Sequence, residues 1–259
     1  MSLRPSTVTL LLLPALLASC GGDGEGRSST DAARLEGLPL ILVSGIDLPQ
    51  DAAVARPSAT FENETVSGST GCNRYTAGYT VDGNTLGIAE IATTRMACPP
   101  PADAIERAYL QALGQVAGWR SEEEELLLVD ADDAELLRYE RATPVGSWLV
   151  TGLLGGDAFA SPLGGTELTA TFGDDGSLTG SSGCNTFTSE YTTDKGAIEI
   201  EEVAGTERAC AEPAGVMDQE ANYLALLANA VVFRLDGGTL ELLDADRKRL
   251  VSFAPAGRP

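Results

Sequence analysis

The chain has 259 residues, 43% hydrophobic and 21% charged, which is the material of folded domains and not of a disordered chain. Its 38 acids against 17 bases give a formal charge of −21, which argues against nucleic acid as a partner and favours a cation or a basic protein surface. It contains no histidine, which excludes Ser-His-Asp and Cys-His catalysis and every His-ligated metal site.

Val8 to Leu17 is an apolar stretch behind one early charge, Arg4. It is shorter than the roughly 20 residues of a membrane-spanning helix and suits the apolar region of an export signal. Leu17-Ala18-Ser19-Cys20 follows and resembles the lipobox of bacterial lipoproteins. The resemblance implies that residues 1–20 are a signal peptide ending at the lipobox cysteine, that Cys20 is acylated, and that the protein meets the membrane through this N-terminal lipid. Gly21, where a retention signal would place Asp, implies the outer membrane, facing the periplasm, in a Gram-negative host. The alternative is an ordinary secretory signal with an incidental cysteine. Residues 21–36 are dominated by Gly, Ser and Asp and read as a flexible tether with nothing to bury.

The remainder is one unit written twice. Gly68-Ser69-Thr70-Gly71-Cys72-Asn73 recurs as Gly180-Ser181-Ser182-Gly183-Cys184-Asn185, an offset of 112 that also relates Tyr79 to Tyr191, Thr94 to Thr206 and Cys98 to Cys210. Two residues then enter the second copy. At an offset of 114, Glu106 matches Glu220, Tyr109 matches Tyr223, and Leu126, Asp130 and Asp132 match Leu240, Asp244 and Asp246. The chain therefore divides into homologous domains at 37–142 and 145–255, each long enough for a small core of its own.

In the first copy, a turn at Asp82-Gly83-Asn84 separates two strands. Pro99 to Pro101 mark a helix start, and Ile105, Tyr109, Leu113 and Val116 step by three or four along one apolar face. Strands at Leu126–Val129 and Leu136–Tyr139 close the copy. In the second, Thr166–Phe172 alternates as a half-buried strand, Gly173-Asp174-Asp175-Gly176 turns the chain, and Ser177–Gly180 returns it. A further pair flanks Asp194-Lys195-Gly196. A helix after Pro213 presents Val216, Glu220, Tyr223, Leu224, Leu227 and Val231, and strands at Leu240–Leu243 and Leu250–Phe253 finish the chain. Hairpin-linked strands with one helix per copy predict an α+β architecture. Each of the two homologous domains is expected to be a curved antiparallel sheet or partial barrel with one covering helix.

The ordered set Gly71-Cys72-Asn73-Arg74-Tyr75, Gly78-Tyr79 and Thr94-Arg95-Met96-Ala97-Cys98, followed by a helix with an internal Glu, resembles the META domain of the HslJ-like bacterial envelope proteins. The second copy repeats it as Gly183-Cys184-Asn185-Thr186-Phe187, Tyr191 and Thr206-Glu207-Arg208-Ala209-Cys210. Glu190 stands where the first copy has Gly78, and Arg208 where it has Met96. The family's opening Trp strand is supplied by Trp148 in the second copy, whereas Leu38-Pro39-Leu40 stands there in the first. The resemblance implies a tandem META lipoprotein without a catalytic reaction. Family members are linked to heat-shock response, antibiotic tolerance, and secretion or motility.

Of five cysteines, four remain once Cys20 is set aside, two per copy and 26 positions apart. An exported context permits oxidation, and pairing Cys72 with Cys98 and Cys184 with Cys210 lets each domain close its own loop. Free buried thiols and a shared zinc or redox site are the alternatives; no CxxC is present. Asn73 and Asn185 follow glycine-rich turns, where Asn tolerates left-handed backbone and bonds its own loop. Tyr79 and Tyr191 are expected to pack on the sheet with their hydroxyls at its rim. The acids Glu122–Glu125, Asp130, Asp132, Asp133, Asp244 and Asp246 read as turn chemistry, with a calcium site and paired hydrolytic carboxylates as weaker readings. No metal and no cofactor is expected. The functional expectation is a non-enzymatic envelope lipoprotein that binds or protects in envelope stress or assembly, with an envelope protein as partner. The alternative is an acidic inhibitor of a cationic enzyme such as lysozyme.

Overall fold

The structure, a computed structural model, describes residues 34–49 and 55–257. The export signal, Cys20 and residues 21–33 of the expected tether lie outside the described residues. The last part of that tether departs from expectation. Leu35 has no exposed surface and belongs to the first core, so the domain begins before residue 37.

The first copy contains β1 (Pro39–Ser44), β2 (Ser58–Glu62), β3 (Thr65–Ser69), β4 (Arg74–Asp82), β5 (Thr85–Ile88), β6 (Ala92–Thr93), α1 (Ala102–Leu113), β7 (Gly118–Glu122), β8 (Glu125–Val129) and β9 (Glu135–Arg141). The pairings run β1-β2-β3-β4-β5-β7-β8-β9 and return to β1, with β6 beside β4. The curved antiparallel sheet expected from the sequence is thus present, and it goes on to close as an eight-stranded barrel.

The second copy contains β10 (Gly146–Gly155), β11 (Ala158–Ala160), β12 (Thr169–Phe172), β13 (Ser177–Ser181), β14 (Thr186–Asp194), β15 (Ala197–Ile200), β16 (Ala204–Gly205), α2 (Val216–Ala228), β17 (Val232–Asp236), β18 (Thr239–Leu243) and β19 (Arg249–Pro255). It closes in the same way, through β10 paired with β19.

Alternation along the strands explains the barrels. Tyr75, Ala77 and Tyr79 of β4 point inward between exposed neighbours, as do Phe187 and Tyr191 of β14. Each ring has one weak seam: β5 meets β7 through the single pair Thr85 and Gly118, and β15 meets β17 through Ala197 and Val232. The helix precedes this seam in both copies. Ile105, Tyr109, Ala112 and Leu113 of α1 are buried, and Tyr109, Ala112 and Leu113 join the barrel's interior cluster. Because the strands form a closed ring, those side chains enter from an open end, which the helix covers.

Two details of the expected helices change. Val116 lies beyond α1, and Val231 lies beyond α2 and is 42% exposed. Three strands follow each helix instead of two: β7 and β17 were not anticipated. β7 buries Trp119 and β17 buries Phe233, which are equivalent at the offset of 114.

The opening strands also correspond. Leu40 pairs with Ala59 and Arg141, and Trp148 with the equivalent Ala170 and Pro255. Leu40 therefore occupies the register of the family tryptophan in the first barrel.

Candidate functional site

The Gly-Cys-Asn motif sits on the turn from β3 to β4, and on the turn from β13 to β14 in the second copy. Gly71 has φ +94° and Gly183 φ +104°, a region that costs any residue with a Cβ; on Gly71 that atom would also lie 2.7 Å from the Ala55 carbonyl. The left-handed residue is thus the glycine, and not the asparagine for which that role was expected.

The next residue is the cysteine. Cys72 is bonded to Cys98, and Cys184 to Cys210, each with Cα atoms 6.0 Å apart, within the ordinary disulfide range. Each bridge ties the motif turn to the segment that enters the helix, as the spacing of the cysteines suggested.

Asn73 and Asn185 are buried at the centre of a polar latch. The Asn185 side-chain oxygen accepts from Thr206 Oγ1 at 2.7 Å and from the Arg208 backbone N–H at 2.8 Å. Its amide nitrogen donates to the Arg208 carbonyl at 2.9 Å and to Glu220 Oε1 at 2.8 Å. Glu220 Oε2 in turn accepts from the Ser182 hydroxyl at 2.5 Å and the Asn185 backbone N–H at 2.9 Å.

The first copy is built alike. Asn73 accepts from Thr94 Oγ1 and the Met96 N–H, each at 2.8 Å, and donates to Glu106 Oε2 at 2.9 Å. Thr70 takes the place of Ser182, donating to Glu106 Oε2 at 2.5 Å. Burial pushes the Glu220 carboxyl up, but the hydrogen bonds from Ser182 and Asn185 outweigh it and hold the carboxyl below its ordinary value. One carboxylate from each helix therefore fastens the motif turn, and every buried side-chain nitrogen or oxygen among the described residues has a partner.

Glu106 and Glu220 were recognised as matched repeat positions but not as members of the motif's site. The signal was available: Glu220 lies on an otherwise apolar helix face, where a carboxylate needs a partner. Cys72, Cys98 and Glu106 place their ligand-type atoms close together, but two of the three are joined as a disulfide and offer no thiolate to a metal.

Tyr79 stands edge-on to Phe61 at 5.1 Å between ring centroids, and Tyr191 to Phe172 at 5.0 Å. The Tyr191 hydroxyl donates to the Gly173 carbonyl at 2.7 Å, which places it at the rim as expected. The acidic runs behave as turn chemistry. Asp130 Oδ1 accepts from the N–H groups of Asp132 and Ala134, each at 2.9 Å, and Asp244 Oδ1 from those of Asp246 and Lys248 at 3.0 and 2.9 Å. Within the four-acid run, Glu122 and Glu125 pair with Arg138, and Glu124 with Arg141.

A second constellation, unseen in the sequence, links the copies. Arg74, the first residue of β4 after the motif, reaches across to Asp236 Oδ2 at 2.6 Å and to Glu241 at 4.0 Å. Glu241 is 2% exposed and also bound by Arg234 and, at 3.1 Å, by Arg249. Arg247 pairs across the same boundary with Glu62. Burial raises the Asp236 carboxyl in spite of Arg74. Burial also pushes Glu241 up, but its bonds from Arg234 and Arg249 outweigh that and lower it.

A family model described as the META domain matches residues 43–143 and again 144–257. No curated protein matches the chain. Among solved structures, an NMR structure of a protein from Burkholderia xenovorans is 22% identical, covering 55% of this chain and 99% of its own, with a TM-score of 0.38. A second NMR structure is 24% identical over 42% of this chain and 93% of its own, with a TM-score of 0.35. A DUF4847 family protein from Bacteroides vulgatus is 18% identical over 44% of this chain and 94% of its own, with a TM-score of 0.32. With the model matched twice in tandem over most of its length, the chain belongs to the META domain family.

Proposed function

We propose that this protein is a non-enzymatic, lipid-anchored binding module of a bacterial envelope, serving stress protection or the assembly of another envelope protein. The observation that supports it best is how the motif spends its polar groups. Asn73, Asn185, Glu106 and Glu220 are engaged with their own loops and helices. That leaves the outer surface, on a chain of formal charge −21, as the part a partner meets. The Cys20 lipid would hold this surface at the membrane, provided a second chain or signal reinforces the first.

The test compares cells expressing the wild-type chain with cells expressing the Cys20→Ser chain, fractionated and challenged with envelope stress. The expected result is wild-type protein in the membrane fraction, variant protein in the soluble fraction, and weaker protection by the variant. Identical fractionation contradicts the anchor, and survival equal to that of cells lacking the protein contradicts the protective role.

The charge also favours a second reading, inhibition of a cationic enzyme. That reading predicts lysozyme inhibition that fades between about 0.1 and 1 M salt, as the screening length shrinks from about 10 to 3 Å.

A further inference from the structure

The two barrels differ at one end. In the second, Trp148 turns its indole inward and donates to the Pro144 carbonyl at 2.7 Å, and its ring packs beside Gly146. In the first, Leu40 holds the same register between equivalent neighbours. Leu38, at the position of Gly146, restores part of the lost volume. A cavity of about 390 Å³ nevertheless opens there, floored by Leu35, Leu38, Leu40, Trp119 and Leu126. That volume falls in the range of small-molecule sites, about 300–1,000 Å³, and the lining has their usual character of an apolar floor with a few polar groups.

The charges at its mouth are uneven. Glu124 and Glu125 are engaged by Arg141 and Arg138, at 3.0 and 2.5 Å. Arg34 and Lys195 also line the cavity, and among the described residues neither has an acidic partner. Lys195 also borders an adjoining hollow with Glu123, Glu140 and Asp194, none of which lines the cavity itself, so within the cavity the two cations without an acidic partner favour an anionic head. Lys195 comes from the turn between β14 and β15 of the second copy, so the second domain supplies part of the head-group end.

We infer that this cavity binds a free single-chain amphipathic anion: the alkyl chain enters the barrel end against Leu40 and Trp119, and the anionic head sits between Arg34 and Lys195. This site is separate from the outer surface considered above and stands or falls independently of any protein partner.

The test is isothermal titration of the full chain carrying Cys20→Ser, which has no lipid of its own, with dodecanoate and with dodecyltrimethylammonium, below their micellar concentrations. Dodecanoate is expected to bind one per chain, at least about tenfold more tightly than the cationic amphiphile, a difference of one decade in Kd. Adding Arg34→Glu and Lys195→Glu together should remove that preference. Leu40→Trp copies the second barrel and should weaken binding at least about tenfold. Ser121→Trp, an exposed lining position, should do the same without touching the core and covers the case in which Leu40→Trp does not fold. Absence of saturable dodecanoate binding overturns the inference. So does equal binding of the two amphiphiles, or unchanged binding in a folded Ser121→Trp chain.

Discussion

Replacing Asn185 by Ala would strand several groups at once. Thr206 and the Arg208 N–H lose their acceptor, and Glu220, 8% exposed, loses a donor. Thr206 and Arg208 are exposed and can turn to water, so the cost falls mainly on the buried Glu220 carboxylate, and Asn185→Ala should lower stability by about 1–3 kcal/mol in urea unfolding. Glu220→Gln tests the charge in the same latch. The Glu220 carboxyl is held below its unfolded value, so its contribution is present above the unfolded pKa and is lost as pH falls through the folded one. The Gln variant should be less stable at neutral pH and show a flatter acid limb. An acid limb as steep as wild type would mean that Glu220 does not carry the latch. Most of this site was legible as a pattern but not as a mechanism. Repetition marked Gly71, Asn73 and Thr94 with their counterparts. That the asparagine is served by a helix carboxylate required the helix to be laid over the barrel end, and spacing alone does not say which face of a helix meets which turn.

The elements differ between copies in a way that predicts different responses to alkali. In the first barrel Tyr75 of β4, Tyr109 of α1 and Tyr139 of β9 join hydroxyls, Tyr75 to Tyr109 at 2.8 Å and Tyr139 to Tyr109 at 2.9 Å. The second barrel has Phe187, Tyr223 and Phe253 at these places, and Tyr223 donates instead to the Thr169 carbonyl at 3.1 Å. Burial raises all four hydroxyls well above the ordinary tyrosine value, with the neighbouring tyrosines adding to the rise at Tyr75. A raised folded pKa means stability that is complete below the unfolded value of about 10 and is lost as pH climbs above it. The first domain should therefore destabilise before the second above about pH 10. Tyr75→Phe with Tyr139→Phe should bring the two closer, as read by near-ultraviolet circular dichroism and domain-resolved NMR. Simultaneous loss of both domains in wild type would contradict this. The hairpins and both helices were legible from alternation and from three-and-four spacing. Closure of the ring was not, because it rests on seams of one residue pair and on β7 and β17. Gly118 and Trp119 start one of these strands and Val232 and Phe233 the other, too short a run beside a helix end to declare its period.

At the scale of the whole molecule, the copies are joined by residues that the repeat does not share. Thr186 stands at the position of Arg74, so the ion pair from Arg74 to Asp236 has no symmetric counterpart and no internal homology could have announced it. Arg74 is 56% exposed, which moderates its value, but removing it leaves Asp236 buried without its nearest cation. Arg74→Ala should cost about 1 kcal/mol, the upper worth of an ion pair with one partner exposed to solvent, and broaden the interdomain angles seen by small-angle X-ray scattering. An unchanged scattering profile would mean that the copies are held by other contacts. The copies should also be self-sufficient. Residues 145–259 expressed alone under oxidising conditions should melt cooperatively, and a broad melt would show a shared core. That self-sufficiency rests on each copy having its own core, disulfide and latch. Removing a native disulfide from a domain of this kind costs about 2–5 kcal/mol, a large share of a total stability of about 5–15 kcal/mol. The sharpest test is a non-reducing proteolytic digest of the full chain recovered from bacteria without reductant, read by mass spectrometry. The expected peptides link Cys72 to Cys98 and Cys184 to Cys210. Links from Cys72 to Cys184 or Cys210, or four free thiols, would contradict this pairing.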